Sequence, residues 1–206
     1  LREVREEERS LTAIANLVVA LAALPPPPKP KRMLEGDWRL AFAGDETAVE
    51  ALTTGAGAGT FSVVEQAFLR FLKAKQLKLI EVTRRYGPFN NEKRLLEGSF
   101  EVEKAQRAAA ALRFSYRGYM LNPKGRETAL PDVHKGRKYT ADVVYLGATL
   151  AVARFTYVDA SAADSSMSTP RGSDPLDLSG LAVLERVDDL RDRLEELQVG
   201  VTEKKK

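Results

Sequence analysis

The sequence predicts a mainly β fold, an antiparallel β-barrel with one helix before it and one helix after it. Short segments of alternating apolar and polar residues recur along the middle of the chain, and turn residues separate them. Strands do not alternate with long helical segments, which argues against a parallel sheet. Closure into a barrel is expected because it removes exposed strand edges. With 206 residues, of which 44% are apolar, the chain can form one such domain with a sizeable core.

The first predicted element is a helix over residues 1–24. Good helix formers dominate this segment, and its apolar residues recur at spacings of three, four and seven. The prolines from Pro25 onward end the helix, and residues 25–33 are predicted to form an extended, Pro-rich linker. The apolar run is shorter than the roughly 20 residues of a membrane span, so we expect the helix to dock on the barrel or on a partner.

The barrel is predicted over residues 34–187. Its first strand is Trp38–Ala43, where the side chains alternate and Trp38, Leu40 and Phe42 share one face. The segment VVEQAFLRFLKAKQ fits either a short helix or a strand. Strand patterns then follow in LKLIEVTRRYG, RLLEGSFEVEK, AALRFSYRGYML, KYTADVVYL, TLAVARFTYV and GLAVLERV. These segments give about eight strands.

Two appendages accompany the predicted barrel. Residues 159–179 form a long polar loop that is inserted between the last two strands. This loop is either a tolerated insertion with no role of its own or an arm that contacts a partner. A C-terminal helix and a basic tail follow over residues 188–206, and the helix carries an apolar stripe of Leu190, Leu194, Leu197 and Val201.

The residue types that build common catalytic and metal sites are scarce. The chain has no cysteine and a single histidine, His134, which lies in a basic loop and is expected to be exposed. One histidine does not make a zinc site, and no Gly-x-Ser-x-Gly motif accompanies it. The glycine loop TGAGAGT lacks the Lys-Ser or Lys-Thr pair of a phosphate-binding loop. We therefore expect a protein that is not an enzyme and holds no metal.

The charge pattern points away from nucleic acid. The formal net charge is only +3, from 32 basic and 29 acidic residues, which describes a mixed surface. The basic residues nevertheless cluster, at Lys29, Lys31 and Arg32, at Lys73, Lys75 and Lys78, over 124–138 and over 204–206. These clusters are either solvated loops or contacts to anionic lipid head groups.

Aromatic residues fall mostly on the predicted strands. They either fill the core of a closed barrel or line a cavity for an apolar ligand, since a barrel of about eight strands can hold one small molecule. The candidate ligand-binding residues of the barrel interior are Trp38, Phe42, Phe114, Tyr116, Tyr145 and Phe155. An open mouth with a continuous cavity would favour ligand binding. A filled interior with apolar patches on the appended helices would favour an interaction role.

The stretch LEGDWRLAFAG resembles the opening of the plastid lipid-associated protein family, also called fibrillins or plastoglobulins. In that family a helix and a segment with Asn and Pro lead into Leu-x-Gly-x-Trp-x-Leu-x-Tyr. Phe42 stands where the family has its tyrosine. The stretches YLGATLAVAR and LAVLERV resemble the family's two closing strands, with Gly147 in place of an acidic residue and Ala151 in place of an arginine. The matching residues are Leu34, Gly36, Trp38, Leu40, Tyr145, Leu146, Leu150, Val152, Arg154, Val183, Leu184 and Arg186.

This resemblance implies a lipocalin-like barrel that is closed by Gly36, Trp38 and Arg186, with Arg154 as a second candidate for the arginine that lies over the indole. It implies a plastid location, at the thylakoid membrane or at plastoglobules. It also implies non-covalent association with carotenoids, quinones or other prenyl lipids. Lipids or a membrane surface are therefore the expected partners, and no nucleic acid is expected. The alternative is a peripheral structural subunit of a photosystem or antenna complex of the thylakoid.

Overall fold

A computed structural model describes residues 2–55, 62–86, 91–105, 108–122, 124–159 and 178–199. Within these ranges the strands are β1 (Gly36–Ala43), β2 (Ser62–Leu72), β3 (Gln76–Arg85), β4 (Glu92–Glu103), β5 (Ala110–Leu121), β6 (Glu127–Ala129), β7 (Arg137–Leu146), β8 (Leu150–Asp159) and β9 (Leu181–Val187). The helices are α1 (Arg2–Ala22), α2 (Pro30–Leu34), α3 (Glu46–Leu52) and α4 (Leu190–Val199), and a 3₁₀ turn spans Asp132–His134.

Eight of the strands form a closed antiparallel β-barrel flanked by helices α1 and α4, which confirms the predicted fold class. The neighbours run in the order β4-β3-β2-β1-β9-β8-β7-β5, and the pairing of β4 with β5 closes the ring. Strand β6 pairs only with the end of β5, outside the ring. The segment whose pattern fitted either helix or strand is strand β2.

The barrel core follows the alternation of the strands. On β3, Leu77 and Leu79 lie in the barrel interior and are at most 1% exposed. Their neighbours Ile80 and Val82 belong to a second apolar cluster, which contains Phe68 of β2 and Leu190 of α4. Strand β3 is therefore buried on both sides, by the barrel interior and by a helix.

Helix α4 covers the outer face of β2, β3 and β4. Asp189 caps its first turn, because the backbone amides of Arg191 and Asp192 donate to the Asp189 carboxylate at 3.1 Å. Leu190, Leu194 and Leu197 face the barrel wall, as the predicted stripe requires. Val201, the basic tail and residues 160–177 of the inserted loop lie outside the described residues.

Helix α1 lies against β7, with Ala15 fully buried. After the prolines the chain forms α2, which begins at Pro30, so the predicted extended linker ends in a short helix. Of the helices described, none is long and apolar enough to cross a membrane.

Helix α3 was not recognised in the sequence. Asp45 caps it by accepting from the Ala48 amide at 3.1 Å. Ala48, Ala51 and Leu52 belong to the main core cluster, so α3 covers one end of the barrel. At seven residues, the helix is too short for periodicity to reveal it.

Candidate functional site

One end of the barrel is closed by Trp38, Arg186 and helix α2. The Trp38 side chain is 0% exposed, and its indole N–H donates to the Leu34 carbonyl at 2.8 Å. The Arg186 guanidinium lies over the indole, 4.6 Å from the ring centroid, a cation–π distance. Arg186 also donates to the carbonyls of Glu35, at 3.1 Å, and of Met33. One arginine therefore joins the end of β9 to the chain that enters β1.

Gly36 makes room for this arginine. Its φ is +125°, in a region that side-chain-bearing residues rarely adopt. A Cβ atom at this position would lie 2.7 Å from an Arg186 guanidinium nitrogen. The spacing Gly-x-Trp thus has a physical reason: the glycine gives the arginine access, and the tryptophan receives it. Arg154, the second candidate, instead donates to the Ser179 carbonyl at 2.9 Å.

The interior beyond Trp38 is packed with aromatic side chains. The Phe114 ring stacks on Tyr139 with centroids 5.1 Å apart and meets Phe155 edge to face at 6.0 Å. Tyr116 lies 5.7 Å from Phe114, and its hydroxyl donates to the Ala51 carbonyl of α3 at 2.7 Å. The predicted interior residues Phe114, Tyr116 and Phe155 are thus brought together, and Phe114 contacts both of the others.

Phe42 and Tyr145 do not share that interior, which corrects the sequence prediction. Strand β1 has a register shift between Leu40 and Phe42, and β7 has one between Val143 and Tyr145. Each shift inserts one extra residue, which reverses the face that the following side chains take. Phe42 therefore pairs with the outward-facing Val183 and is half-buried. Tyr145 pairs with Val152, also outside the ring.

His134 is buried, not exposed as predicted, with 2% of its surface accessible. Its Nε2 lies 2.9 Å from the Thr53 carbonyl, and its Nδ1 lies 2.7 Å from the Tyr139 hydroxyl. A carbonyl only accepts, so Nε2 carries the hydrogen, and Nδ1 of the neutral ring accepts from Tyr139. Burial lowers the pKa of His134 to about 4, although the hydrogen bond to Thr53 opposes this. Burial also raises the pKa of Tyr139 to about 12.

A buried carboxylate, Glu81, was also missed. Its side chain is 0% exposed and accepts from the Thr54 amide at 2.6 Å and from the Thr54 hydroxyl at 2.8 Å. Thr83 donates to it at 3.2 Å, and an Arg94 guanidinium nitrogen lies 3.6 Å away. The alternation Leu77, Leu79, Glu81 already places Glu81 inside. The burial of Glu81 could therefore have been predicted from this alternation.

Both polar groups tie segments at the α3 end to the barrel. His134 and Glu81 hold the consecutive residues Thr53 and Thr54, which follow α3. Within the described part of the chain, no group of three or more acidic or histidine side chains is arranged to hold a metal ion. The hydrogen bonds of His134 and Glu81 act as internal cross-links between the segment after α3 and the barrel.

In comparisons with known proteins, no family model matches the chain, and no curated protein matches it.

Proposed function

We propose that this protein is a non-enzymatic, lipid-associated barrel of the fibrillin type that works at the surface of thylakoids or plastoglobules. It meets lipid through the apolar face of α1, which is the solvent side of the helix opposite the buried Ala15. This face carries Ala13, Leu17 and Ala20 and is continued by Leu24 just after the helix, and Leu11 and Val19 are exposed at its edges. The fold class is compatible with this function, and the Gly36–Trp38–Arg186 closure has the form that the family resemblance implies. The observation that carries the proposal is the apolar face itself.

The apolar face is unusual for a helix at the surface of a protein. Leu17, Val19 and Leu24 are 56%, 48% and 50% exposed. No charged residue occurs from residue 10 to residue 28, so the exposed side of α1 is uncharged throughout this stretch. An exposed apolar surface without charges marks an interaction with a membrane or a protein. A helix that lies in the membrane interface fits it.

The face can supply a useful binding energy. Burying a leucine or valine side chain fully contributes about 1.5–3 kcal/mol, and roughly half of each side chain remains to be buried. Leu17, Val19 and Leu24 together therefore contribute about 3 kcal/mol, on the order of a hundredfold in partitioning onto lipid. That supports reversible association with a surface. Carotenoids, quinones or other prenyl lipids would then be contacted in the lipid phase, since aromatic side chains pack the described interior.

Flotation with neutral phosphatidylcholine vesicles tests the proposal. We expect the chain to float with the vesicles and the double variant Leu17→Gln/Val19→Gln to lose about tenfold or more in partitioning. The matched control is Val49→Gln/Val63→Gln, which changes two exposed valines on α3 and β2. Equal flotation of the parent and both variants would show that α1 does not carry lipid contact.

A second function is favoured by the packed and covered interior: a peripheral structural subunit of a photosystem or antenna complex. In that case the same α1 face would contact a protein. The parent would then co-sediment with detergent-solubilised thylakoid complexes and fail to float with protein-free vesicles, and Leu17→Gln/Val19→Gln would abolish the co-sedimentation.

A further inference from the structure

We propose that a basic groove at the Trp38 end of the barrel binds the anionic head groups of membrane lipids while the apolar face of α1 lies in the same membrane. The inference rests on the proposed function, because it names the class of lipid that the surface selects. The groove has a volume of about 570 Å³. Its cationic residues are Lys29, Lys31, Arg32, Lys73 and Lys104.

The groove is assembled from separate parts of the fold. The first three cations precede or belong to α2, Lys73 follows β2, and Lys104 follows β4. Two carboxylates, Glu35 and Glu103, also line it. Glu103 is already paired with Arg113 at 3.3 Å. The groove therefore has an excess of positive charge that the fold gathers from distant positions in the sequence.

The cations of the groove are available to an outside anion. Among the described residues, none of the five has an ion pair or a hydrogen bond from its side chain. A second groove, between α4 and the barrel wall, provides the contrast. There Arg70 pairs with Asp37, Lys78 pairs with Glu97 at 3.0 Å, and Arg191 pairs with Glu195 at 3.1 Å. Internal carboxylates thus neutralise most of the second groove.

The groove and the apolar face of α1 are close to each other along the chain. Four prolines lie between Leu24 and Lys29, so the two residues are at most about 18 Å apart. Both surfaces can therefore meet one bilayer, with the apolar side chains at the acyl boundary and the lysines at the level of the head groups. A juxtaposed apolar surface and cation cluster is the arrangement by which peripheral proteins bind anionic membranes.

The residue types favour a lipid surface over a single free phosphate. Four of the five cations are lysines, which are flexible point charges and not planar donors that orient one phosphate. All four lysines are exposed, and the apolar residues Pro30 and Val102 also line the groove. An open groove of this kind suits several head groups of a charged surface. It offers no buried donor for a single small anion.

The test compares flotation on phosphatidylcholine vesicles with flotation on an equimolar mixture of phosphatidylcholine and phosphatidylglycerol. We expect stronger partitioning on the mixed vesicles, reduced by salt because the interaction is screened over about 10 Å at 0.1 M ionic strength. The variant Lys29→Gln/Lys31→Gln/Lys73→Gln should lose on the order of a hundredfold on the mixed vesicles. It should float like the parent on phosphatidylcholine alone.

The matched control is Lys93→Gln/Lys124→Gln/Lys138→Gln, which removes three exposed lysines elsewhere and makes the same change in net charge. It should retain most of the gain on mixed vesicles. Equal losses in the two triple variants would assign the effect to net charge and overturn the groove. Displacement of the parent by inorganic phosphate at matched ionic strength would assign the groove to a free anion, which also overturns the inference.

The two proposals fail in different ways. If the parent floats on phosphatidylcholine but gains nothing from phosphatidylglycerol, the groove inference is wrong and the lipid-associated function stands. If the parent floats on neither kind of vesicle, the lipid-associated function fails, and the groove inference fails with it.

Discussion

Acidification should destabilise the fold through His134. The folded-state pKa is about 4, whereas the unfolded chain has the ordinary value of 6.5. Between these values the unfolded chain binds a proton that the folded protein does not, so stability falls as the pH falls. The contribution is present above about pH 6.5 and is lost progressively as the pH falls from there to about 4.

The magnitude follows from the two pKa values. Their difference corresponds to about 3 kcal/mol at about 1.4 kcal/mol for each pKa unit. At about pH 5 more than half of the interval between the two pKa values has been crossed, so about 2 kcal/mol of stability should already be lost. The structure gives the reason: a protonated ring would donate from both nitrogens inside a site where it is 2% exposed.

Urea unfolding of the parent and of His134→Gln, at about pH 7 and about pH 5, measures the loss of unfolding free energy that His134 causes. Surface carboxylates titrate in both proteins, so their effect cancels in the difference between them. We expect the parent to lose about 2 kcal/mol more than the variant over this interval. Since the chain has a single histidine, an NMR titration also reports its pKa without ambiguity. A midpoint near 6.5, or parallel pH profiles of the two proteins, would refute the buried, neutral assignment.

Three further substitutions test the two barrel ends by thermal or urea unfolding. Trp38→Ala should cost about 3–5 kcal/mol, because it empties a fully buried aromatic site; a change under about 1 kcal/mol would contradict that burial. Gly36→Ala should cost at least about 1–2 kcal/mol through its positive φ and the crowded guanidinium, whereas Gly118→Ala, with nothing within 4 Å of the new Cβ, should be close to neutral. Glu81→Ala should cost about 1–3 kcal/mol, because buried donors lose their acceptor, while Glu65→Ala, which breaks a surface pair with Arg84, should cost under about 1 kcal/mol. Similar costs for the two members of either matched pair would count against the reasoning.

Much of the fold could be predicted because its signals are local. Strand alternation, turn residues and the prolines after α1 act within a few residues, and they gave the barrel and its flanking helices. The opening Gly36-x-Trp38 was informative because the glycine leaves the room through which Arg186 reaches the Trp38 indole. Residues 160–177 and 200–206 lie outside the described residues, so the proposed role of the inserted loop stays a prediction.

The missed features depend on contacts between distant parts of the chain. His134 is the last residue of a short 3₁₀ turn in a polar segment, and its hydrogen-bond partner Thr53 is 81 residues away in sequence. The bulges in β1 and β7 carry no glycine or proline to mark them, so the sequence alone predicted strict alternation and placed Phe42 and Tyr145 on the wrong face. Such extra residues are fixed by how neighbouring strands pair around the closed ring, which no local pattern records.

The closures at the two ends of the barrel bear on where an apolar ligand would bind. At one end, Trp38 and Arg186 donate to backbone carbonyls around α2; at the other, Tyr116 and His134 donate to carbonyls at and just after α3. A ligand that entered the interior would have to break one of these sets and separate the packed aromatic rings. Each neutral hydrogen bond contributes about 0.5–1.5 kcal/mol, and the buried acceptors would be left without donors. The exposed face of α1 needs no such rearrangement, because its leucine and valine side chains already lie at the surface. Under the proposed function, contact with lipid through α1 is therefore the lower-cost route, and the basic groove beside it would select anionic lipids.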